Sequence, residues 1–173
     1  TIYPSQLAKE TWDTVEPMKL STTPILFLNS NKDFAFALDG TMKALSAAQK
    51  PYMTIKNNLP HGQDKGAEPG ELAVFADAVV GKGNQVIQIE THPSKIQPTL
   101  KYRLGSEVTL NNIKLWYTEA DKPNPEAQWD SKVVKFENGS NSVKLTYPEG
   151  AKYVYVSITY NNDLTASTAM ISL

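Results

Sequence analysis

Two residues in this chain have the types and the spacing for proton-transfer chemistry: Asp33 and His61. A carboxylate facing one imidazole nitrogen fixes the ring's tautomer and stabilises its protonated form. The other nitrogen can then carry a proton between a nucleophile and a leaving group, so the two are candidate members of a Ser-His-Asp triad. Asp33 follows Asn29-Ser30-Asn31-Lys32, a run of turn formers after the apolar Ile25-Leu26-Phe27-Leu28. His61 lies in Asn58-Leu59-Pro60-His61-Gly62, just past the alternating Tyr52-Met53-Thr54-Ile55-Lys56. Asp39 is a rival acid, but its place near the start of a helical pattern reads as a cap. His92, in Thr91-His92-Pro93, reads as structural, and two histidines are too few for a His-rich metal centre. Glu119, Asp121 and Asp130 bracket a loop with two prolines that matches no EF-hand pattern, and it reads as a solvated polar loop. No Gly-rich phosphate loop and no basic stripe is present, so no cofactor and no metal is expected.

The elements that must position the pair are legible from periodicity. Ile25-Leu26-Phe27-Leu28 is a short continuous apolar run, the pattern of a strand buried on both faces. Residues 37–48 have Met42, Leu45 and Ala48 on one helical face, and Lys50-Pro51 ends the helix. Tyr52 to Lys56 then alternates as a second strand. A right-handed crossover makes the two strands parallel neighbours, with Asp33 and His61 past their carboxyl ends, where open α/β sheets place their chemistry. Upstream, residues 4–20 read as a helix and loop with Ser5 as N-cap and Leu7, Thr11, Trp12 and Val15 on one face. Downstream, residues 62–68 form a polar turn. A helix then opens near Pro69, with Leu72, Phe75, Ala76 and Val79 as its buried stripe and Gly81 as its stop.

The segments Trp12-Asp13, Asn29-Ser30-Asn31-Lys32-Asp33-Phe34-Ala35-Phe36, Leu59-Pro60-His61-Gly62-Gln63 and Phe75-Ala76-Asp77 resemble the C-terminal part of bacterial α/β-hydrolases, in particular the acetyl xylan esterase-like and dienelactone hydrolase-like group. The resemblance covers roughly the first half of the chain. It implies that Asp33 is the triad acid and His61 the triad histidine. It also implies a small-molecule or carbohydrate ester as substrate and a periplasmic or extracellular location. The family's nucleophile sits in a Gly-x-Ser-x-Gly elbow upstream of these elements, and no such motif occurs here. The chain starts at Thr1 and is expected to be the C-terminal portion of a serine hydrolase, inactive alone and partnered by the N-terminal half of the same protein.

Gly81-Lys82-Gly83-Asn84 reads as a boundary between residues 1–82, the α/β-hydrolase part, and residues 83–173. Beyond it, helical periodicity gives way to short alternating segments: residues 85–91, 99–104, 113–118, 130–136, 142–147, 153–160 and 168–173. Asn111-Asn112, Asn138-Gly139-Ser140 and Pro148-Glu149-Gly150 supply turns. Seven short strands at regular spacing predict a disulfide-free immunoglobulin-like β-sandwich. The expected fold class is therefore α/β plus all-β: the end of a parallel hydrolase sheet with flanking helices, followed by that sandwich.

Composition bounds the alternatives. The 173 residues carry a formal net charge of −1, 40% hydrophobic residues and no cysteine. That is a globular composition without disulfide or thiol chemistry, and without the basic character that draws nucleic acid or an anionic membrane. Its apolar runs are too short to span a bilayer as a helix. The competing function is a non-catalytic interaction or glycan-binding module on a degenerate hydrolase scaffold. Trp116, Trp129, Tyr153, Tyr155 and Tyr160 would be its aromatic platform or, on the plainer reading, core.

Overall fold

The structure is a computed structural model and describes residues 15–173. The first of its elements are α1 (Val15–Leu20), β1 (Ile25–Ser30), α2 (Leu38–Ala47), β2 (Pro51–Lys56), α3 (Gln63–Ala67) and α4 (Glu71–Val79). Strands β1 and β2 pair parallel, in register from Ile25 opposite Pro51 to Ser30 opposite Lys56. Proline is tolerated at the first residue of a strand, where it ends the helical run without breaking the ladder. Helix α2 crosses between the strands and buries Leu38 and Leu45, two turns apart on one face. Of the expected N-terminal helix, residues 4–14 with Ser5, Leu7, Thr11 and Trp12 lie outside the described residues; Val15–Leu20 is helical.

The remaining strands are β3 (Ile87–Thr91), β4 (Thr99–Leu104), β5 (Leu110–Thr118), β6 (Asp130–Val133), β7 (Ser142–Lys144), β8 (Tyr153–Tyr160), β9 (Leu164–Ser167) and β10 (Ile171–Ser172). They form a three-stranded antiparallel sheet, β3-β4-β7, and a five-stranded one, β10-β8-β5-β6 with β9 also on β8. β9 pairs with Ser157 to Tyr160, and β10 with Tyr153 and Val154. Between them Thr168 stays on β8: its N–H donates to the Val156 carbonyl, and its Oγ1 accepts the Val156 N–H, both at 2.9 Å.

Alternation along β8 sends side chains into two cores. Val154, Val156, Ile158 and Tyr160 join Ile113 and Leu115 of β5 against Leu100, Tyr102 and Val143 of the three-stranded sheet. Tyr155 points the other way, into a cluster with Leu38, Leu45, Met53, Ile55 and Met170, flanked by Trp116 and Trp129. The five-stranded sheet is thus covered on both faces, by β3-β4-β7 on one and by β2 and α2 on the other. Each aliphatic side chain so buried stabilises the fold by about 1.5–3 kcal/mol. Side-chain hydrogen bonds join β2 to β9: Thr54 Oγ1 donates to the Thr165 carbonyl at 2.7 Å, and the Ile55 N–H donates to Ser167 Oγ at 3.0 Å.

This architecture corrects the expected fold class. Among the described residues the molecule is mainly β, with three sheets that are mostly antiparallel and only short helices. Two parallel strands stand where a hydrolase-type parallel sheet with flanking helices was expected. The following strands number eight, β3 to β10, where seven were expected, and the outer face of the larger sheet is taken up by β2 and α2. Local elements are corrected too. Residues Ile25 to Leu28 are half-buried, and only Asn29 and Ser30 of β1 are buried. Asp39 is not a cap: the capping position is Ala37, and Asp39 accepts the N–H of Gly40. In α4 the buried side chain is Glu71, while Leu72 and Val79 are exposed. Asn111-Asn112 lies inside β5 at a register shift rather than in a turn.

Candidate functional site

Asp33 sits in the turn that closes β1. The Lys32 N–H donates to Ser30 Oγ at 3.1 Å, and the Asp33 N–H donates to the Ser30 carbonyl at 3.4 Å. Asp33 Oδ1 in turn accepts the N–H groups of Ala35 and Phe36, both at 2.8 Å, the local pattern that makes aspartate a good turn residue. Asn29 ties this loop to α2 by donating to the Phe36 carbonyl at 2.9 Å and to Thr41 Oγ1 at 2.6 Å. His61 comes from the other strand end. Past β2 the chain turns at Asn58, with φ of 59°, and runs through Leu59-Pro60 to the imidazole.

The two loops bring the side chains together. His61 Nδ1 lies 3.1 Å from both Oδ1 and Oδ2 of Asp33. The Asp33 side chain is 13% exposed and that of His61 32%, so the pair opens to solvent while partly shielded from it. Desolvation pulls the Asp33 pKa up. The Phe36 N–H, the His61 ring and the Ala35 N–H outweigh it, and the carboxyl is held below its ordinary value. The ionised carboxylate has only acceptors, so Nδ1 donates to it, which leaves Nε2 as the ring nitrogen able to exchange a proton with another group. Nε2 makes no hydrogen bond among the described residues. The rings of Phe34 and Phe36 flank the imidazole at centroid distances of 4.9 and 5.6 Å, and both phenylalanines are exposed. Ser30, Asp33, Phe36, Leu59, Pro60 and His61 line an open cleft of about 400 Å³. Chemically, this is a base oriented by an acid at the mouth of an apolar cleft.

The other candidates stand apart from this pair. His92 is half-buried, its Nδ1 accepts the Ala169 N–H at 2.9 Å, and burial lowers its pKa. Asp121 pairs with Lys152 at 2.6 Å on the surface. Among the described residues no group of three or more His, Asp or Glu side chains is arranged to hold a metal ion. Among them, too, no helix is long and apolar enough to cross a membrane. Tyr155 stacks on Trp116 and is tilted against Trp129, and the three pack with the core of β2 and α2 rather than forming a platform.

Sequence reasoning missed four residues. The exposed Phe34 and Phe36 were legible only as parts of a loop. Glu71 is buried at 3% exposure, where its Oε1 accepts the Thr165 N–H at 2.7 Å and faces Lys56 Nζ at 2.5 Å. Asn31 reads as one more turn former, yet its side chain is engaged on every polar atom. Comparisons with protein-family models, with curated proteins and with solved structures find no match to this chain.

Proposed function

We propose that Asp33 and His61 are the acid and histidine of a serine-hydrolase site that transfers an acyl group to water through an acyl-serine intermediate. The observation that carries the reading is the 3.1 Å contact from His61 Nδ1 to both Asp33 oxygens, with Nε2 left free at a cleft. In such a site the nucleophile gives its proton to Nε2, and the imidazolium is stabilised by the carboxylate beneath it. The same nitrogen then protonates the leaving group. The constellation recurs on unrelated folds, so the reading rests on geometry and does not need a hydrolase-type sheet. No Gly-x-Ser-x-Gly occurs in these residues, and the reading calls for a nucleophilic serine supplied from outside them. The substrate class is a carboxylic ester, small or carried on a carbohydrate, and the setting is periplasmic or extracellular; both follow from the sequence resemblance alone.

The test is labelling with a fluorophosphonate probe, read by intact mass and peptide mapping. It is run on this chain and on the full-length product of its gene. The expected result is one label, on a serine outside these residues, in the full-length product only. A label on this chain by itself overturns the division of the triad. No label on either overturns the hydrolase reading and leaves the interaction module.

A further inference from the structure

We infer that Asn31 is the positioning residue of the Asp33–His61 pair, holding the loop that carries His61 in register with the turn that carries Asp33. The functional meaning of this assignment rests on the acid–histidine reading above; the geometry does not. The β1–β2 ladder ends at Ser30 and Lys56, followed by one bond from the Asn31 N–H to the Lys56 carbonyl at 3.3 Å. Beyond that point no ladder bond joins the loops, and the Phe34 and Phe36 rings of the first meet the imidazole of the second without a hydrogen bond. Apart from the pair itself, the hydrogen bonds that cross between the two loops among the described residues all use the Asn31 side chain. Oδ1 accepts the Asn58 N–H at 3.1 Å, and Nδ2 donates to Asn57 Oδ1 at 2.9 Å.

Asn58 is the place where this matters. Its φ of 59° is the left-handed region, which asparagine enters more readily than other side-chain-bearing residues but which still needs support. The bond to Asn31 fixes the peptide plane at that turn. Downstream, Pro60 locks its own φ and restricts Leu59 before it, so the direction set at Asn58 is carried stiffly to His61. At its other end Asn31 is anchored: it is 2% exposed, and Nδ2 also reaches Tyr155 Oη at 3.4 Å, in the core shared by β2, α2 and the five-stranded sheet. Both amide hydrogens and the carbonyl oxygen therefore have partners. A buried amide so occupied is costly to disturb, because each lost bond strands a buried polar group. A serine or threonine at this position is too short to span both loops, and an aliphatic residue fills the space without joining them.

The test reads the ground state by NMR of the intact chain, through the exchange rate of the His61 Hδ1 proton and the ring's tautomer. Wild-type protein is expected to show a protected Hδ1 and a ring protonated on Nδ1. In Asn31→Ala, Hδ1 exchange should rise by about tenfold, the scale set by a lost buried hydrogen bond. The tautomer should become mixed, while the amides of β8 keep their protection. An unchanged Hδ1 in folded Asn31→Ala reduces Asn31 to ordinary core and overturns the assignment. If Asn31→Ala does not fold, Asn57→Ala carries the test: Asn57 is exposed, and its loss frees Asn31 Nδ2 from one partner. Exchange several-fold faster supports the assignment, and unaltered exchange overturns it. Neither readout involves acyl transfer, so a failure of the hydrolase reading in the labelling experiment leaves this result standing, and the reverse holds too.

Discussion

The imidazole of His61 is met by both carboxylate oxygens of Asp33 at 3.1 Å, although the two residues are 28 positions apart and sit on different loops. The Oδ1 that faces the ring also accepts two backbone N–H groups, so the acid is oriented before it orients the base. That ordering gives Asp33→Asn a specific consequence. The amide can retain the turn, but it offers Nδ1 either a weaker acceptor or an opposing donor. If the proposed ester hydrolysis is the activity, kcat of the nucleophile-bearing form should fall by about four orders of magnitude, as when the acid of a triad is neutralised. Full activity in that variant would remove Asp33 from the mechanism.

Acid stability follows from the same carboxylate. Its folded pKa lies below the ordinary 3.8, so its contribution is fully present above that value and is lost as the pH falls through the folded pKa. Wild-type protein should lose more unfolding free energy between pH 5 and pH 2.5 (about the span in which an aspartate titrates) than Asp33→Asn does. Urea titrations at the two pH values measure the difference, and equal losses refute it.

His92 titrates in the opposite chemical sense but with the same direction in pH. Burial lowers its folded pKa below 6.5, so the unfolded chain binds the extra proton first. Stability is complete above 6.5 and declines as the pH drops towards the folded value. His92→Asn keeps an acceptor for the Ala169 N–H and has no proton to gain. Its thermal midpoint should accordingly fall less than that of wild type between pH 7.5 and pH 5.5, roughly the range over which histidine titrates.

Tyr155 is 1% exposed, stacks on Trp116 at 6.0 Å, and packs among residues of β2, α2 and the segment around Met170. Tyr155→Ala is expected to destabilise the protein by about 3–5 kcal/mol, the range for deleting a buried aromatic. Tyr155→Phe removes only a hydroxyl, but that hydroxyl is a long 3.4 Å partner of the buried Asn31 amide, and the change should cost about 1–1.5 kcal/mol. Chemical denaturation of the pair separates packing from hydrogen bonding; similar losses in both would show that the hydroxyl matters more than the ring.

Much of this was legible where chemistry is local. The period changes from apolar run to helical stripe to alternation between Ile25 and Lys56, and Pro51 punctuates it, so strand, helix and strand could be read in order. The eight-residue alternation of β8 gave its bounds and both of its faces. What failed is non-local. A four-residue apolar run looks the same on a half-buried strand as in the middle of a parallel sheet, and only the partners of β1 decide. In α4 the stripe of Leu72, Phe75 and Val79 is the natural apolar face. Glu71 is buried instead because Lys56 and the Thr165 N–H lie opposite it, far away in sequence. β9 was missed although it had a local signal: Asn161 and Asn162, with φ of 45° and 77°, turn the chain straight back onto β8. The Asp33–His61 contact could be anticipated because each residue follows a strand that ends in turn formers. The role of Asn31 could not, because nothing in an asparagine's neighbours shows that it reaches across a loop.

The tie between β2 and β9 has a consequence for how the protein is made. Thr54 and Thr165, which share a hydrogen bond, are separated by 111 positions. The apolar face of β2 and α2 is therefore synthesised long before Tyr155 and Met170, its covering residues, leave the ribosome. A chain whose early segments wait for such distant partners folds slowly and keeps an apolar surface open in the meantime. During synthesis this protein should be a client for holdase chaperones until β9 emerges, and nascent chains stalled between β7 and β9 should be the ones most prone to aggregate.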